Sequence, residues 1–129
     1  MGHVHVDAVF YNPIDYAEFV ERRCRLEEVK RIGIKALVDT GATFPVLPED
    51  VVEKLGLLIH GEVEAETSTG REKVRLALAI IRLDRTAASY VIVRPKNTTP
   101  LIGLVALEQM GYGVNPVTGN LERTPAIEL

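Results

Sequence analysis

The chain has no tryptophan, one cysteine and few aromatic residues, which make up 5% of its 129 residues. The four tyrosines and three phenylalanines are scattered along it. A nucleic-acid groove that stacks bases would need aromatic side chains interleaved with basic ones. The formal net charge of -3 also argues against a general nucleic-acid binder. We therefore expect no nucleic acid among its partners.

Long hydrophobic runs are also missing. The longest strongly apolar run extends from Leu76 to Ile81 and is ended by Arg75 and Arg82. A membrane-spanning helix needs about 20 apolar residues. The N-terminus lacks the basic start and the apolar core of a signal peptide. The sequence therefore predicts no membrane partner and a cytoplasmic location.

Cys24, the single cysteine, cannot form an internal disulfide, which favours a reducing compartment. Neighbouring arginines could lower the pKa of its thiol, but no sequence context supports a cysteine nucleophile. The basic cluster around Cys24 is interrupted by glutamates and is interpreted as a solvated face. That cluster consists of Arg22, Arg23, Arg25, Lys30, Arg31 and Lys35.

The length and composition are those of one ordinary globular domain, with 47% apolar and 26% charged residues. Most of the chain is predicted as strands, because short segments alternate apolar with polar residues or are rich in branched apolar residues. The predicted strands are Val4–Phe10, Ile32–Val38, Glu62–Glu66, Val74–Leu83 and Tyr90–Val93. Many strands and glycine-marked turns indicate a small all-β barrel or sandwich.

Two short helices are expected between the strands. The first begins with Pro48 at the first helical position and ends at Gly56, a suitable C-terminal cap. The second spans Leu104–Met110 before Gly111, and residues 115–120 form a turn between two short strands. The segment from Asp15 to Val29 stays open between a strand with a charged face and a short helix.

Asp39-Thr40-Gly41 directly follows an apolar strand, so its carboxylate is placed at the end of a rigid, buried element. Gly41 permits a tight turn and a close approach of another group. The Thr40 hydroxyl can hydrogen-bond across a symmetric interface. The tripeptide alone is also typical of an ordinary turn.

A longer stretch of the sequence favours a catalytic role for Asp39 over an ordinary turn. Residues 36–48, Ala-Leu-Val-Asp-Thr-Gly-Ala-Thr-Phe-Pro-Val-Leu-Pro, resemble the active-site segment of retropepsin-like (clan AA) aspartic proteases of the single-lobe cellular or prokaryotic type. About sixty residues later, Leu101-Ile102-Gly103 resembles the second hallmark of that family, which packs beneath the active-site loop and leads into a helix. The resemblance covers roughly Val4 to Glu122.

The resemblance implies one domain over residues 1–129, folded as a small closed β-barrel of the retropepsin type with one or two short helices. It also implies an aspartic endopeptidase. Asp39 of two subunits would share one proton, one carboxylate serving as general base for a water that attacks the peptide bond. The partners would be a peptide or protein substrate and a second copy of the chain, with the termini contributing to the interface. The mechanism needs no metal or organic cofactor.

The resemblance also assigns residues around the carboxylate. Asp39, Thr40 and Gly41 would form the catalytic loop. Residues 67–71 fall where the family has its flap, although a plain hairpin turn is the alternative. The expected substrate-binding residues are Ala42, Ser68, Thr69, Gly70, Ile102 and Gly103.

Four residues depart from the patterns of known relatives. Leu104-Val105 replaces the Arg-Asp or Arg-Asn pair that ties the viral dimer together, and Thr43 replaces an acid. Ala42 cannot donate the hydrogen bond that a Ser or Thr at this position gives the carboxylate in many two-lobed relatives. Because the charged form of the carboxylate pair is then less stabilised, the pH range of activity is expected to extend toward neutral pH.

Other interpretations remain beside the protease. A retropepsin-like fold can persist as an inert dimerisation or peptide-binding module, and an unrelated β-barrel could carry Asp39 in a turn and bind a small molecule. His3, His5 and Asp7 alternate on one strand and could begin a metal site, but we prefer the polar face of an edge strand. His60 is interpreted as a surface residue.

Overall fold

The computed structural model describes residues 4–124, which form nine strands and three helices. The strands are β1 Val4–Tyr11, β2 Arg31–Val38, β3 Val46–Pro48, β4 Ile59–Thr67, β5 Gly70–Arg82, β6 Thr86–Arg94, β7 Leu101–Ile102, β8 Tyr112–Val114 and β9 Leu121–Arg123. The helices are α1 Pro13–Val20, α2 Glu49–Leu55 and α3 Leu104–Gln109, and a 3-10 turn covers Leu26–Glu28.

Seven strands form one sheet in the order β1-β2-β7-β3-β6-β5-β4. β1 also pairs with β5, through Val9 opposite Arg82 to Tyr11 opposite Ile80, and this second pairing closes the sheet into a barrel. β8 and β9 form a separate hairpin. The predicted fold class, a small closed all-β barrel with a few short helices, is confirmed.

On the long strands of the barrel, one side faces the interior because side chains alternate along a strand, whereas β4 has no buried side chain. On β2, Ala36 and Val38 are buried, whereas Leu37 between them is half-exposed. Apolar residues of α2 and α3 complete the core. The largest fully buried side chains of the described residues include Phe10, Tyr11, Leu47, Leu55, Ile81, Ile102 and Leu107.

The undecided segment after β1 forms α1 and the 3-10 turn, so it is helical rather than extended. Buried Asn12 begins α1, and its Oδ1 accepts hydrogen bonds from the amides of Ile14 and Asp15 at 2.9 and 3.1 Å. Its Nδ2 donates to the carbonyls of Leu55 and Gly56 at 2.9 and 3.2 Å. One amide side chain therefore caps α1 and ties it to the end of α2.

The two predicted helices are present with small changes at their ends. Pro48 lies one residue before α2, because its backbone stays extended (ψ 149°) and continues β3. Gly56 caps α2 with φ 63°, as predicted. α3 stops at Gln109, and Gly111 follows with φ 77°. The turn over residues 115–120 joins β8 and β9 as expected.

The basic cluster that the sequence places on a solvated face is exposed at all six positions. Arg23 pairs with Glu18 at 2.9 Å, and Arg25 pairs with Glu28 at 3.4 Å. Between residues 4 and 124, no helix is both long and apolar enough to cross a membrane.

Candidate active site

Asp39 comes immediately after the last residue of β2 and is half-buried. Its Oδ1 accepts a hydrogen bond from the Gly41 amide at 2.9 Å, and its backbone carbonyl accepts one from Ala42 at 3.2 Å. A Cβ on Gly41 would lie 3.1 Å from the same carboxylate oxygen. Glycine at this position therefore lets the turn fold closely around the carboxylate.

β7 and the start of α3 hold the Asp39 loop by backbone hydrogen bonds on both of its sides. The amides of Leu37 and Asp39 donate to the carbonyls of Pro100 and Ile102 at 2.9 and 3.1 Å. The amide of Leu104 donates to the Ala42 carbonyl at 2.8 Å, and that of Val105 donates to the Thr43 carbonyl at 3.0 Å. The two hallmark segments of the sequence therefore form one unit.

Gly103 lies at the closest contact between the two segments. A Cβ at this position would lie 2.6 Å from the Phe44 carbonyl oxygen and 2.9 Å from that of Ala42. Both neighbours are backbone atoms, and the Ala42 carbonyl already accepts the Leu104 amide, so they cannot move aside cheaply. Only glycine fits between α3 and the Asp39 loop.

A row of aliphatic side chains crosses the outer face of the sheet beside Asp39. Leu37 lies two residues before Asp39 and therefore shares its face of β2. The row continues through directly paired residues on four neighbouring strands, and each of its side chains is half-exposed. In order it consists of Leu37, Leu101, Val46, Ile92 and Leu76. We call this row the apolar groove.

The expected flap is a β-hairpin of β4 and β5, with its turn between Thr67 and Gly70. Thr67 Oγ1 donates to the Gly70 carbonyl at 2.8 Å and closes the turn. One face of the hairpin pairs acidic residues of β4 with basic residues of β5: Glu62 with Arg75, Glu64 with Lys73 and Glu66 with Arg71. Opposite charges directly across a strand pair stabilise it modestly.

The expected site residues fall into two groups. Asp39, Thr40, Gly41, Ala42 and Gly103 lie together at the loop. Ser68, Thr69 and Gly70 lie at the exposed hairpin tip, and within residues 4–124 the tip forms no hydrogen bond to the loop. Ile102 is fully buried. Its side chain belongs to the core, while its carbonyl holds the Asp39 amide.

The apolar groove was not predicted from the sequence. Its members were assigned to the two hallmark segments or to separate predicted strands, because their convergence depends on how β7, β3 and β6 pair. One signal was available in the sequence. Leu37 and Asp39 are two residues apart on one strand, so any groove at Asp39 had to include Leu37.

The alternative sites are less well supported. His5 and Asp7 are exposed on the same face of β1, opposite Leu37 and Lys35, while His3 lies outside the described residues. β1 is not an edge strand throughout, since its last three residues also pair with β5. His60 is exposed, as predicted, with its ring 5.3 Å from that of Tyr90. In the described part of the chain, no group of three His, Cys, Asp or Glu side chains could hold a metal ion.

Cys24 is not activated by the arginines near it in sequence. Desolvation raises the pKa of its half-buried thiol, and the carboxylates of Glu28, Glu18 and Asp15 raise it further. The suggestion that its neighbours lower this pKa is therefore wrong, because the folded chain brings acidic rather than basic groups close to the sulfur.

The family is decided by a comparison with known protein families. Residues 28–109 match the family described as "gag-polyprotein putative aspartyl protease". The chain belongs to this retropepsin-like family. The matched residues include both the Asp39 loop and Leu101-Ile102-Gly103. No curated protein sequence matches the chain.

Solved structures of the family share the fold. A retropepsin-like aspartic protease from Rickettsia conorii is 20% identical with a TM-score of 0.54, over 88% of this chain and 77% of that one. The retroviral protease-like domain of Ddi1 from Leishmania major is 15% identical with a TM-score of 0.54, over 98% of this chain and 91% of that one. At such identities the likeness concerns the fold alone.

Proposed function

We propose that the chain is an aspartic endopeptidase whose active site forms when two copies meet about a two-fold axis. Asp39 from each copy would supply one carboxylate of the catalytic pair. The observation that carries this proposal is the Asp39 loop, in which a half-buried carboxylate, bonded to the Gly41 amide, is held by the β7–α3 segment.

The need for a second copy follows from the number of motifs. Asp-Thr-Gly occurs once in the sequence, and among residues 4–124 Gly41 is the only hydrogen-bond partner of the Asp39 carboxylate. A symmetric dimer brings two copies of one residue together at the axis. Thr40 is exposed beside Asp39, and in the proposed dimer its hydroxyl would hydrogen-bond across the interface.

The proposed reaction consumes one water and one peptide bond. Two carboxylates in close contact cannot both ionise easily, so the pair keeps one proton. The ionised Asp39 takes a proton from a water held between them, and the water oxygen attacks the amide carbonyl. The protonated partner donates to the carbonyl oxygen. As the tetrahedral species collapses and the C–N bond breaks, Asp39 passes the proton taken from water to the leaving nitrogen, and a hydroxyl of the diol returns its proton to the partner carboxylate. The products are a carboxylic acid and an amine, and the pair again holds one proton.

The apolar groove supports a peptide as the substrate. Half-exposed aliphatic side chains extend from Leu37 across the sheet to Leu76, so apolar side chains on either side of the scissile bond would be buried there. Burying one such side chain contributes about 1.5–3 kcal/mol. The β4–β5 hairpin is the proposed flap that covers the bound peptide and excludes water.

The test is hydrolysis of a peptide library by purified protein, compared with Asp39→Asn. This substitution removes the general base with little change of shape. We expect cleavage by the wild type, and loss of at least a thousandfold in kcat/KM in the variant, a loss on the order expected when a catalytic unit is removed.

A statine-type inhibitor provides an independent check of the same site. Tight binding to the wild type and loss of binding in Asp39→Asn would support the paired carboxylates. Folded, dimeric wild-type protein that cleaves no peptide and binds no such inhibitor would instead identify an inert dimerisation or binding module. Cleavage by Asp39→Asn within tenfold of the wild type would place the chemistry elsewhere.

A further inference from the structure

The β4–β5 hairpin leaves the barrel at a defined point. β5 pairs with β6 from Arg82 opposite Thr86 to Arg75 opposite Val93. The residues from Gly70 to Val74 pair with β4 but not with β6. Pro95 follows the last residue of β6 and has no amide hydrogen to extend the ladder. Between Arg75 and the hairpin tip, the described backbone of β5 is therefore not hydrogen-bonded to β6.

One ion pair reconnects the free part of the hairpin to the barrel. Glu72 Oε1 lies 2.8 Å from Arg94 Nη1, across the point where β5 and β6 separate. The two side chains are 44% and 33% exposed, so solvent screens them less than Arg71, Glu64 and Glu66, which are 62–82% exposed. Arg71 contacts Glu66 at 3.5 Å and Glu64 at 3.9 Å, and these contacts connect the two strands of the hairpin only to each other.

The Glu72–Arg94 pair lies on the face that carries the apolar groove. Arg94 is two residues from Ile92, and Glu72 is four residues from Leu76, so alternation places both on the face of those groove residues. The next pair along this face of the hairpin is Val63 opposite Val74. Arg75, by contrast, points to the other face and lies 3.7 Å from Glu49 of α2. The two ion pairs therefore hold β5 from opposite faces.

We propose that the Glu72–Arg94 ion pair is a positioning device that sets how far the hairpin leans over the apolar groove. Both residues are positioning residues and take no part in the chemistry. The proposal rests on the hairpin being the flap of the proposed protease. Loss of the pair lowers the population of the closed hairpin, and the apparent affinity for substrate falls by the same factor.

Hydrogen exchange tests the ion pair without requiring any catalysis. The variants are Glu72→Gln, Arg94→Gln and the exchanged pair Glu72→Arg with Arg94→Glu. The matched control is Glu66→Gln, which makes the same charge change on the hairpin but leaves Arg71 near Glu64. A partly exposed ion pair contributes up to about 1 kcal/mol, so we expect roughly two- to fivefold faster exchange of the amides of residues 68–73 in the two single variants. The exchanged pair should restore slow exchange, and the control should stay near the wild type.

Steady-state kinetics on a cleaved peptide add the functional measurement. We expect KM to rise by a similar factor in Glu72→Gln and Arg94→Gln, with kcat changed less, and to recover in the exchanged pair. Unchanged exchange in both single variants, or exchange that stays fast in the exchanged pair, would overturn the proposal. If the wild type cleaves no peptide but the exchange pattern holds, the hairpin contact stands and the protease assignment fails.

Discussion

Gly103 determines how closely α3 approaches the Asp39 loop. We expect Gly103→Ala to lower the free energy of unfolding by about 1–3 kcal/mol and to abolish peptide cleavage, because the new Cβ would overlap backbone atoms of Phe44 and Ala42. Urea denaturation and a peptide-cleavage assay measure the two effects.

Gly33→Ala is the matched control for this substitution. Gly33 lies on β2, the strand that carries Asp39, and a Cβ there meets no atom within 4 Å. The Gly33→Ala variant should keep full activity and at least the wild-type stability, since replacing glycine in a strand reduces the entropy lost on folding. Equal effects of the two substitutions would contradict the close packing described at Gly103.

Ala42 provides a test of pH dependence at the same loop. A hydroxyl at this position would donate to the charged form of the carboxylate and stabilise it, so that the pair loses its proton at lower pH. Ala42→Thr should therefore shift both limbs of the kcat/KM profile toward acid. Ala42→Ser should do the same, whereas Ala42→Val matches the shape of threonine without the donor and should leave the profile in place. A profile that stays unmoved or moves toward alkaline pH in Ala42→Thr would mean that residue 42 is not near the carboxylate.

The Cys24 thiol should react slowly with alkylating agents at neutral pH. Its pKa is raised by desolvation and by Glu28, Glu18 and Asp15, so the reactive thiolate forms only at higher pH than in a free cysteine. Iodoacetamide labelling followed by mass spectrometry across a pH series measures this. If the labelling rate of Cys24 reaches half of its maximum at or below the pH found for a model cysteine peptide, the acidic surroundings of the thiol would be contradicted.

Among the elements, α1 and α2 depend on each other through Asn12. We expect Asn12→Ala to destabilise the fold by about 1–3 kcal/mol, since it removes the cap of α1 and leaves the buried carbonyl of Leu55 without this donor. Asn12→Asp separates the two roles. It keeps the acceptor for Ile14 and Asp15 but cannot donate to Leu55 or Gly56.

Thermal unfolding followed by circular dichroism distinguishes these contributions. If both roles matter, Asn12→Asp should be less stable than the wild type. A fully wild-type melting temperature for Asn12→Asp would mean that the bonds to α2 contribute nothing to stability.

Some of these elements follow from local sequence patterns, and others depend on contacts between distant segments. β1, β2 and the ends marked by Gly56 and Gly111 follow from local patterns and were predicted. The helix at α1 was left open, although its cap is local, since Asn12 Oδ1 accepts from the amides of Ile14 and Asp15. The bond from Asn12 Nδ2 to α2, 43 residues away, is the part that no local pattern contains. Pro48 was placed one residue too far into α2, since a parallel pairing with β6 keeps it extended. The groove needed the pairing order of β7, β3 and β6, which no local pattern contains.

At the scale of the whole molecule, the proposed pair of Asp39 carboxylates requires a dimer. Sedimentation at high micromolar concentration should give twice the mass of the 14.2 kDa chain. Activity per subunit should fall on dilution below the dissociation constant of the dimer. A strict monomer that cleaves peptides would contradict the shared Asp pair. The expectation that the termini take part in the interface concerns residues 1–3 and 125–129, which lie outside the described structure.

The most direct test of the central claim is to mix wild-type and Asp39→Asn chains and refold them together. If one Asp39 from each copy is needed, only wild-type pairs cleave peptides. An equal mixture should then have about one quarter of the activity of wild type at the same total concentration, because random pairing leaves that share of dimers with both carboxylates. An activity of about one half would mean that each subunit acts alone, and would contradict a catalytic pair formed across the dimer.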